Sequence, residues 1–161
     1  MASAPVVNAS PLILLGRGGL LGLLRVACDR VVVPRAVVDE LQLRGNSDPA
    51  VAAMSGVEWL EVVDNPPIPA SILAWDLGAG ESAVLAYAFA RPGTEIICDD
   101  LAARRCAVTL GIPVRGTLGL VLVAKQRGVI AAARPVMEQL RAAGMYLSGS
   151  IVDEALKKVG E

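Results

Sequence analysis

Two adjacent carboxylates, Asp99 and Asp100, end the short apolar run Glu95-Ile96-Ile97-Cys98 and head a helix-like stretch that begins Leu101-Ala102-Ala103-Arg104. A buried strand that delivers acidic side chains into a turn is how an open α/β sheet builds a site at its carboxyl edge. One Asp there can cap the next helix. The second is not needed for capping, and two carboxylates close together favour a divalent cation. Further ligands can come from three places. The first strand ends at Asn8-Ala9-Ser10, Glu40 lies in the helix after the second strand, and Glu81 opens the helix before the fourth. If the first and fourth strands are neighbours, their ends form one polar cluster.

Each of these residues also has an ordinary local role open to it. Glu40 stands four residues before Arg44, the spacing of a helical ion pair. Glu81 sits at a helix start, where the macrodipole favours any carboxylate. Asp100 can act simply as an N-cap, and Asn8 and Ser10 as turn and cap residues. All of these roles applying at once, in this order beside one sheet edge, is a weaker account than a shared acidic site.

Composition narrows the chemistry. The chain has no histidine, which removes imidazole general bases, His-based triads and zincin motifs together. Its three cysteines, Cys28, Cys98 and Cys106, are odd in number and lack metal-site spacing, so reduced, buried thiols in a cytoplasmic setting are expected. With 15 basic and 16 acidic residues the net charge is −1, and the overall footprint of a general nucleic-acid binder is absent. A local basic patch is still allowed. Met1 to Ser10 has neither a basic start nor a long apolar core, so no signal peptide is expected. The apolar runs Leu12–Leu15 and Leu20–Leu24 are broken by Gly16-Arg17-Gly18-Gly19, and neither reaches the roughly 18 residues of a membrane helix.

The elements that must position the acids follow from the apolar pattern. Strands are expected over Ala4–Val7, Arg30–Val33, Val57–Val63, Thr94–Cys98 and Gly111–Val114. Ser10 reads as an N-cap with Pro11 at the first helical position. Further helices are expected over about Leu20–Ala27, Pro34–Leu43, Asp48–Met54, Ala79–Arg91, Leu101–Leu110, Thr117–Arg127, Ala133–Ala143 and Ile151–Val159. Asn65-Pro66-Pro67-Ile68-Pro69 is a stiff loop and not a linker, so residues 1–161 form a single domain. Strands separated by helices imply parallel pairing. The fold class is α/β: a three-layer α/β/α sandwich around a mostly parallel sheet of about five strands. Gly116-Thr117-Leu118-Gly119 lacks the ending of a nucleotide-binding P-loop and reads as a tight turn at the rim of the cleft. Trp59, Trp75, Tyr87 and Tyr146 form no stacking stripe and are taken as packing or partner contacts.

In order along the chain stand Val7-Asn8-Ala9-Ser10-Pro11-Leu12-Ile13, Val32-Val33-Pro34 with Val38-Asp39-Glu40-Leu41, and Leu77-Gly78-Ala79-Gly80-Glu81-Ser82-Ala83. Ile97-Cys98-Asp99-Asp100 with Ala103-Arg104 follows, then Gly111-Ile112-Pro113-Val114-Arg115-Gly116-Thr117-Leu118-Gly119 with Ala124-Lys125. With this ordered set, from about Val6 to Leu147, the chain resembles the PIN-domain family, in particular its bacterial and archaeal toxin-like branch. The resemblance implies an Mg²⁺- or Mn²⁺-dependent ribonuclease, commonly dimeric and often the toxin of a type II toxin–antitoxin pair. It makes Glu40, Glu81 and Asp100 metal-site acids with Asp99 beside them. The family usually has Asp where this chain has Asn8, whose carbonyl oxygen can coordinate but brings no charge. Ser10 and Thr117 would then border the substrate.

The chemistry suits such a site. Hard cations held by carboxylates can activate water and relieve charge on an attacked phosphate without histidine. RNA needs cationic help against a negative floor, and Arg104, Arg115 and Lys125 are the candidates for phosphate contacts. The expected function is a metal-dependent endoribonuclease with RNA as substrate, a cognate antitoxin and a second copy of the chain as partners, and no membrane. The alternative is a PIN-like binding module with catalysis impaired through Asn8. A carboxylate-metal phosphatase is weaker, because no Asp-x-Asp nucleophile motif is present.

Overall fold

The structure, a computed structural model, describes residues 3–161. Met1 and Ala2, the start of the segment read above for a signal peptide, lie outside the described residues. Five all-parallel strands, β1 (Val6–Val7), β2 (Val31–Pro34), β3 (Leu60–Val63), β4 (Ile96–Ile97) and β5 (Val114–Arg115), form one sheet in the order β3-β2-β1-β4-β5. Helices cover both faces, giving the three-layer α/β/α sandwich. They are α1 (Ala9–Arg17), α2 (Arg35–Gln42), α3 (Pro49–Met54), α4 (Ala70–Leu73), α5 (Ala79–Phe89), α6 (Leu101–Thr109), α7 (Thr117–Gln126), α8 (Ala133–Ala142) and α9 (Gly149–Lys158).

The central strands are Val- and Ile-rich and covered on both faces, as parallel strands must be. Val6, Val7, Ile96 and Ile97 are buried almost completely. With so few aromatic residues, the core is built from Val, Leu, Ala and Ile, and Leu12, Leu15, Leu85, Met137 and Leu140 fill the layers between sheet and helices.

The chain runs β1, β2, β3 outward on one side, then returns to place β4 on the other side of β1. This reversal is the topological switch point, and it lies between β1 and β4. Val7 pairs with Ile97, and the Asn8 amide donates to the Ile97 carbonyl at 3.0 Å. Asn8 and the Cys98-Asp99-Asp100 segment therefore leave the sheet side by side.

Several local expectations are corrected. Asn8, not Ser10, occupies the N-cap position of α1, and its side chain makes no capping bond. Ser10 falls in the first turn. The segment read as a helix over Leu20–Ala27 is a six-residue 3-10 helix, Leu21–Val26, with Gly22, a poor helix former, in its first turn. The strands are shorter than their apolar runs suggest, with β1 and β4 each two residues long. The stretch after Pro69 carries an extra turn, α4.

One contact fixes the start of α7. Its N-cap is Gly116, which has no side chain to offer. Asp99 replaces it from across the sheet: Oδ1 accepts from the Thr117 backbone N–H at 2.7 Å and Oδ2 from the Thr117 hydroxyl at 2.6 Å. A carboxylate at a helix N-terminus is also favoured by the macrodipole. A Cβ at Gly116 would lie 3.0 Å from Asp99 Oδ1 and 2.7 Å from Arg104 Nη1, so a larger residue there would press on both side chains. Thr117 is completely buried. Replacing Thr117 by Val keeps the shape and removes the donor, so it should cost about 1–3 kcal/mol, the penalty for an unmatched polar group. Thermal denaturation should show Tm falling by several degrees; an unchanged Tm would mean that this contact does not hold α7.

Candidate metal centre at the switch point

A cavity of about 350 Å³ opens at the carboxyl edge of β1 and β4, lined by Asn8, Ser10, Glu40, Glu81, Asp99 and Asp100 together with Ile13 and Leu14. Four separate segments supply these residues. Asn8 and Ser10 follow β1. Asp99 and Asp100 follow β4. Glu40 comes from α2, and Glu81 from the first turn of α5, which starts at this edge because it runs back to begin β4.

The side chains have different duties. Asn8 is 2 % exposed. Its Nδ2 donates to Glu81 Oε1 at 3.4 Å and weakly to the Cys98 sulfur at 3.6 Å. Its Oδ1 is buried and, among the described residues, is the buried side-chain atom without a hydrogen-bond partner. Such a group costs roughly 1–3 kcal/mol and calls for a reason. Glu40 lies close by: the position a Cβ would take on Gly80 is 2.7 Å from Glu40 Oε2 and 3.3 Å from Asn8 Oδ1. Gly80 thus leaves open the space that these two oxygens share.

Burial, and then the negative charge of Glu81, raise the Glu40 carboxyl above the ordinary carboxylate range, while Arg44 pulls it partly back. The i,i+4 relation to Arg44 is therefore present as a long-range attraction, while the ion partner of Arg44 is Asp48 at 3.1 Å. Asp100 accepts from the Ala103 N–H at 2.9 Å through Oδ2 and caps α6. Asp99 has both oxygens on Thr117. The Cys98 thiol, buried beneath the acids, is pushed up to about 11, chiefly by desolvation. It stays a neutral thiol.

The oxygen set of Asn8, Glu40, Glu81 and Asp100 fits a hard cation in type. Asp99 is committed to α7, and among the described residues no three acidic or thiol side chains stand close enough together to grip an ion in this arrangement. The orphaned Asn8 oxygen and the repulsion felt by Glu40 are the features that a cation would relieve.

The basic candidates divide. Arg104 and Arg115 line an adjoining groove, Arg104 donating to the Cys98 carbonyl at 3.1 Å and Arg115 paired with Glu95 at 2.9 Å. Lys125 does not come to this edge. It stands in the last turn of α7, about 12 Å along the helix from Thr117, and its Nζ donates to the Ala131 carbonyl at 2.7 Å. Thr117 reaches the site only through Asp99.

A family model described as a PIN domain matches residues 4–161, so the chain belongs to the PIN-domain family. That family is one of generally hydrolytic nucleases that typically use divalent metals. No curated protein and no solved structure matches the chain. No helix among the described residues is long and apolar enough to cross a membrane.

Two substitutions test the centre without any assay of activity. Glu40 has a raised folded pKa, so in metal-free buffer it favours the folded state at low pH and loses that contribution as pH rises through its folded value. Glu40→Gln should therefore raise the metal-free Tm at neutral pH and abolish the Tm gain caused by added Mn²⁺. In the parent protein that gain should shrink as pH is lowered and Glu40 takes up its proton. Gly80→Ala improves helix propensity by about 1 kcal/mol yet crowds the Glu40 and Asn8 oxygens. Calorimetry should find Mn²⁺ binding weakened with Tm undiminished; unaltered binding in both variants would remove these residues from any metal site.

Proposed function

We propose that the chain is a metal-dependent endoribonuclease that hydrolyses RNA phosphodiester bonds, acting in the cytoplasm as the toxin of a type II toxin–antitoxin pair. The observation that carries this reading is the buried Asn8 Oδ1, left without a donor beside Glu40 at the switch point. Asn8, Glu40, Glu81 and Asp100 would hold Mg²⁺ or Mn²⁺. A cation so held supplies Lewis acidity toward the phosphate and lowers the pKa of a water.

The chain's own residues do the rest. Glu40 and Glu81 concentrate negative charge that only a cation offsets. Asn8 adds a neutral oxygen to that pair without adding a third charge. Asp99 keeps the start of α7 in place beside the cavity. Arg104 and Arg115 oppose the charge of an approaching phosphate, and Ser10 offers a hydroxyl at the boundary of cavity and groove. A protein partner, either antitoxin or second copy, would cover exposed apolar side chains such as Leu101 and Val108 on α6.

A second reading, a PIN-like module with impaired catalysis, is favoured by the missing charge at Asn8 and by the engagement of Asp99 and Asp100 in helix starts. RNA cleavage with Mg²⁺ or Mn²⁺ separates the two. On the nuclease reading the parent cleaves, chelation stops it, and Asp100→Asn lowers kcat by at least about tenfold, as losing part of a metal site does. A silent parent with an active Asn8→Asp variant would establish the module instead.

A further inference from the structure

A groove of about 800 Å³ opens beside the acidic cavity, and Ser10, Leu14 and Asp99 line both. One wall is formed by Arg104, Arg115 and the start of α7. The other comes from the end of the chain: Tyr146 in the loop between α8 and α9, then Glu154 and Lys158 on α9.

Two features of this groove are unexplained by the fold. Tyr146 is 89 % exposed, a ring standing in water rather than packed. Arg104 and Lys158 have no carboxylate partner among the described residues, whereas Arg115 is held by Glu95. Of the two acids in the lining, Asp99 already has both oxygens on Thr117, so Glu154 alone opposes these two cations, of which Arg104 is steadied by the Cys98 carbonyl. An open aromatic face with flanking cations matches unstacked bases on a phosphate backbone. A duplex hides its base faces and could not use the ring.

We propose that this groove is a subsite for single-stranded RNA leading into the acidic cavity, with one base stacked on Tyr146 and phosphates against Arg104 and Lys158. The proposal deepens the nuclease reading and rests on it for the identity of the strand. It assigns to α9 and the loop before it a part in substrate binding, so the C-terminal helix does more than close the core.

The test is fluorescence anisotropy with a labelled RNA of about a dozen nucleotides, single-stranded or annealed, in EDTA. Chelation keeps binding separate from cleavage. The single strand should bind more tightly than the duplex. Tyr146→Ala should weaken it by about tenfold, and Tyr146→Phe should retain it. Lys158→Ala should reduce the slope of log K against log salt by about 0.7, the loss of one phosphate contact on a single strand. Both side chains are exposed, so the fold should survive their truncation, and circular dichroism checks this.

Binding indifferent to both alanine variants overturns the proposal while leaving cleavage untouched. Binding of a polyglutamate peptide through Lys158, with no RNA bound, also overturns it and makes the groove a protein-docking surface. Tyr146-dependent RNA binding in a protein that cleaves nothing supports the groove while ending the nuclease reading.

Discussion

Asn8 is held where β1 emerges between β2 and β4, and its amide oxygen is buried without a donor. The backbone leaves it little freedom. Its N–H is bonded to Ile97, the neighbouring strands are fully covered, and its Nδ2 is directed to Glu81 and the Cys98 sulfur. Turning the amide over would exchange one unmet group for another, because the nitrogen would lose an acceptor and the oxygen would meet the carboxylate. A single-domain chain has only about 5–15 kcal/mol of net stability, so an unmet oxygen is a sizeable charge against it. An arrangement of this kind persists most readily where a ligand repays it.

The acids around Asn8 are not equivalent, and the difference lies in what each already holds. Asp99 acts as the cap that glycine at 116 cannot be. Asp100 caps its own helix with one oxygen and keeps the other uncommitted. Among the described residues Glu40 and Glu81 have no cationic partner at hydrogen-bonding distance, and Glu40 is raised by burial and by Glu81. The two aspartates secure the starts of α6 and α7, and the two glutamates with Asn8 carry the electrostatic tension. The same helix starts that build the rim of the cavity therefore consume part of its acidity.

Much of the fold was legible in the chain. Short Val/Ile runs without polar alternation announce covered parallel strands, and the Pro and Gly punctuation places their helices. Ends were less legible, because an apolar residue beyond the last ladder bond looks like one within it; Ala4 before β1 and Val57 before β3 are examples. The meeting of Asn8 with Glu40 and Glu81 could be expected from element order, since each stands at or near the carboxyl edge. The engagement of Asp99 could not. Its partner is 18 residues away, at the first position of α7, and nothing local distinguishes a carboxylate that will cap a neighbour from one that will bind an ion. Tyr146 gave no signal either, as a lone aromatic acquires meaning only when α9 folds back beside Arg104.

The proposed chemistry requires a hard cation between Asn8 Oδ1 and the two glutamates. Anomalous diffraction from crystals soaked in Mn²⁺ addresses it directly. A manganese peak is expected in the cavity, in coordination contact with the Asn8 carbonyl oxygen and with carboxylate oxygens of Glu40 and Glu81. A cavity containing only water, with manganese bound elsewhere on the surface, would contradict it.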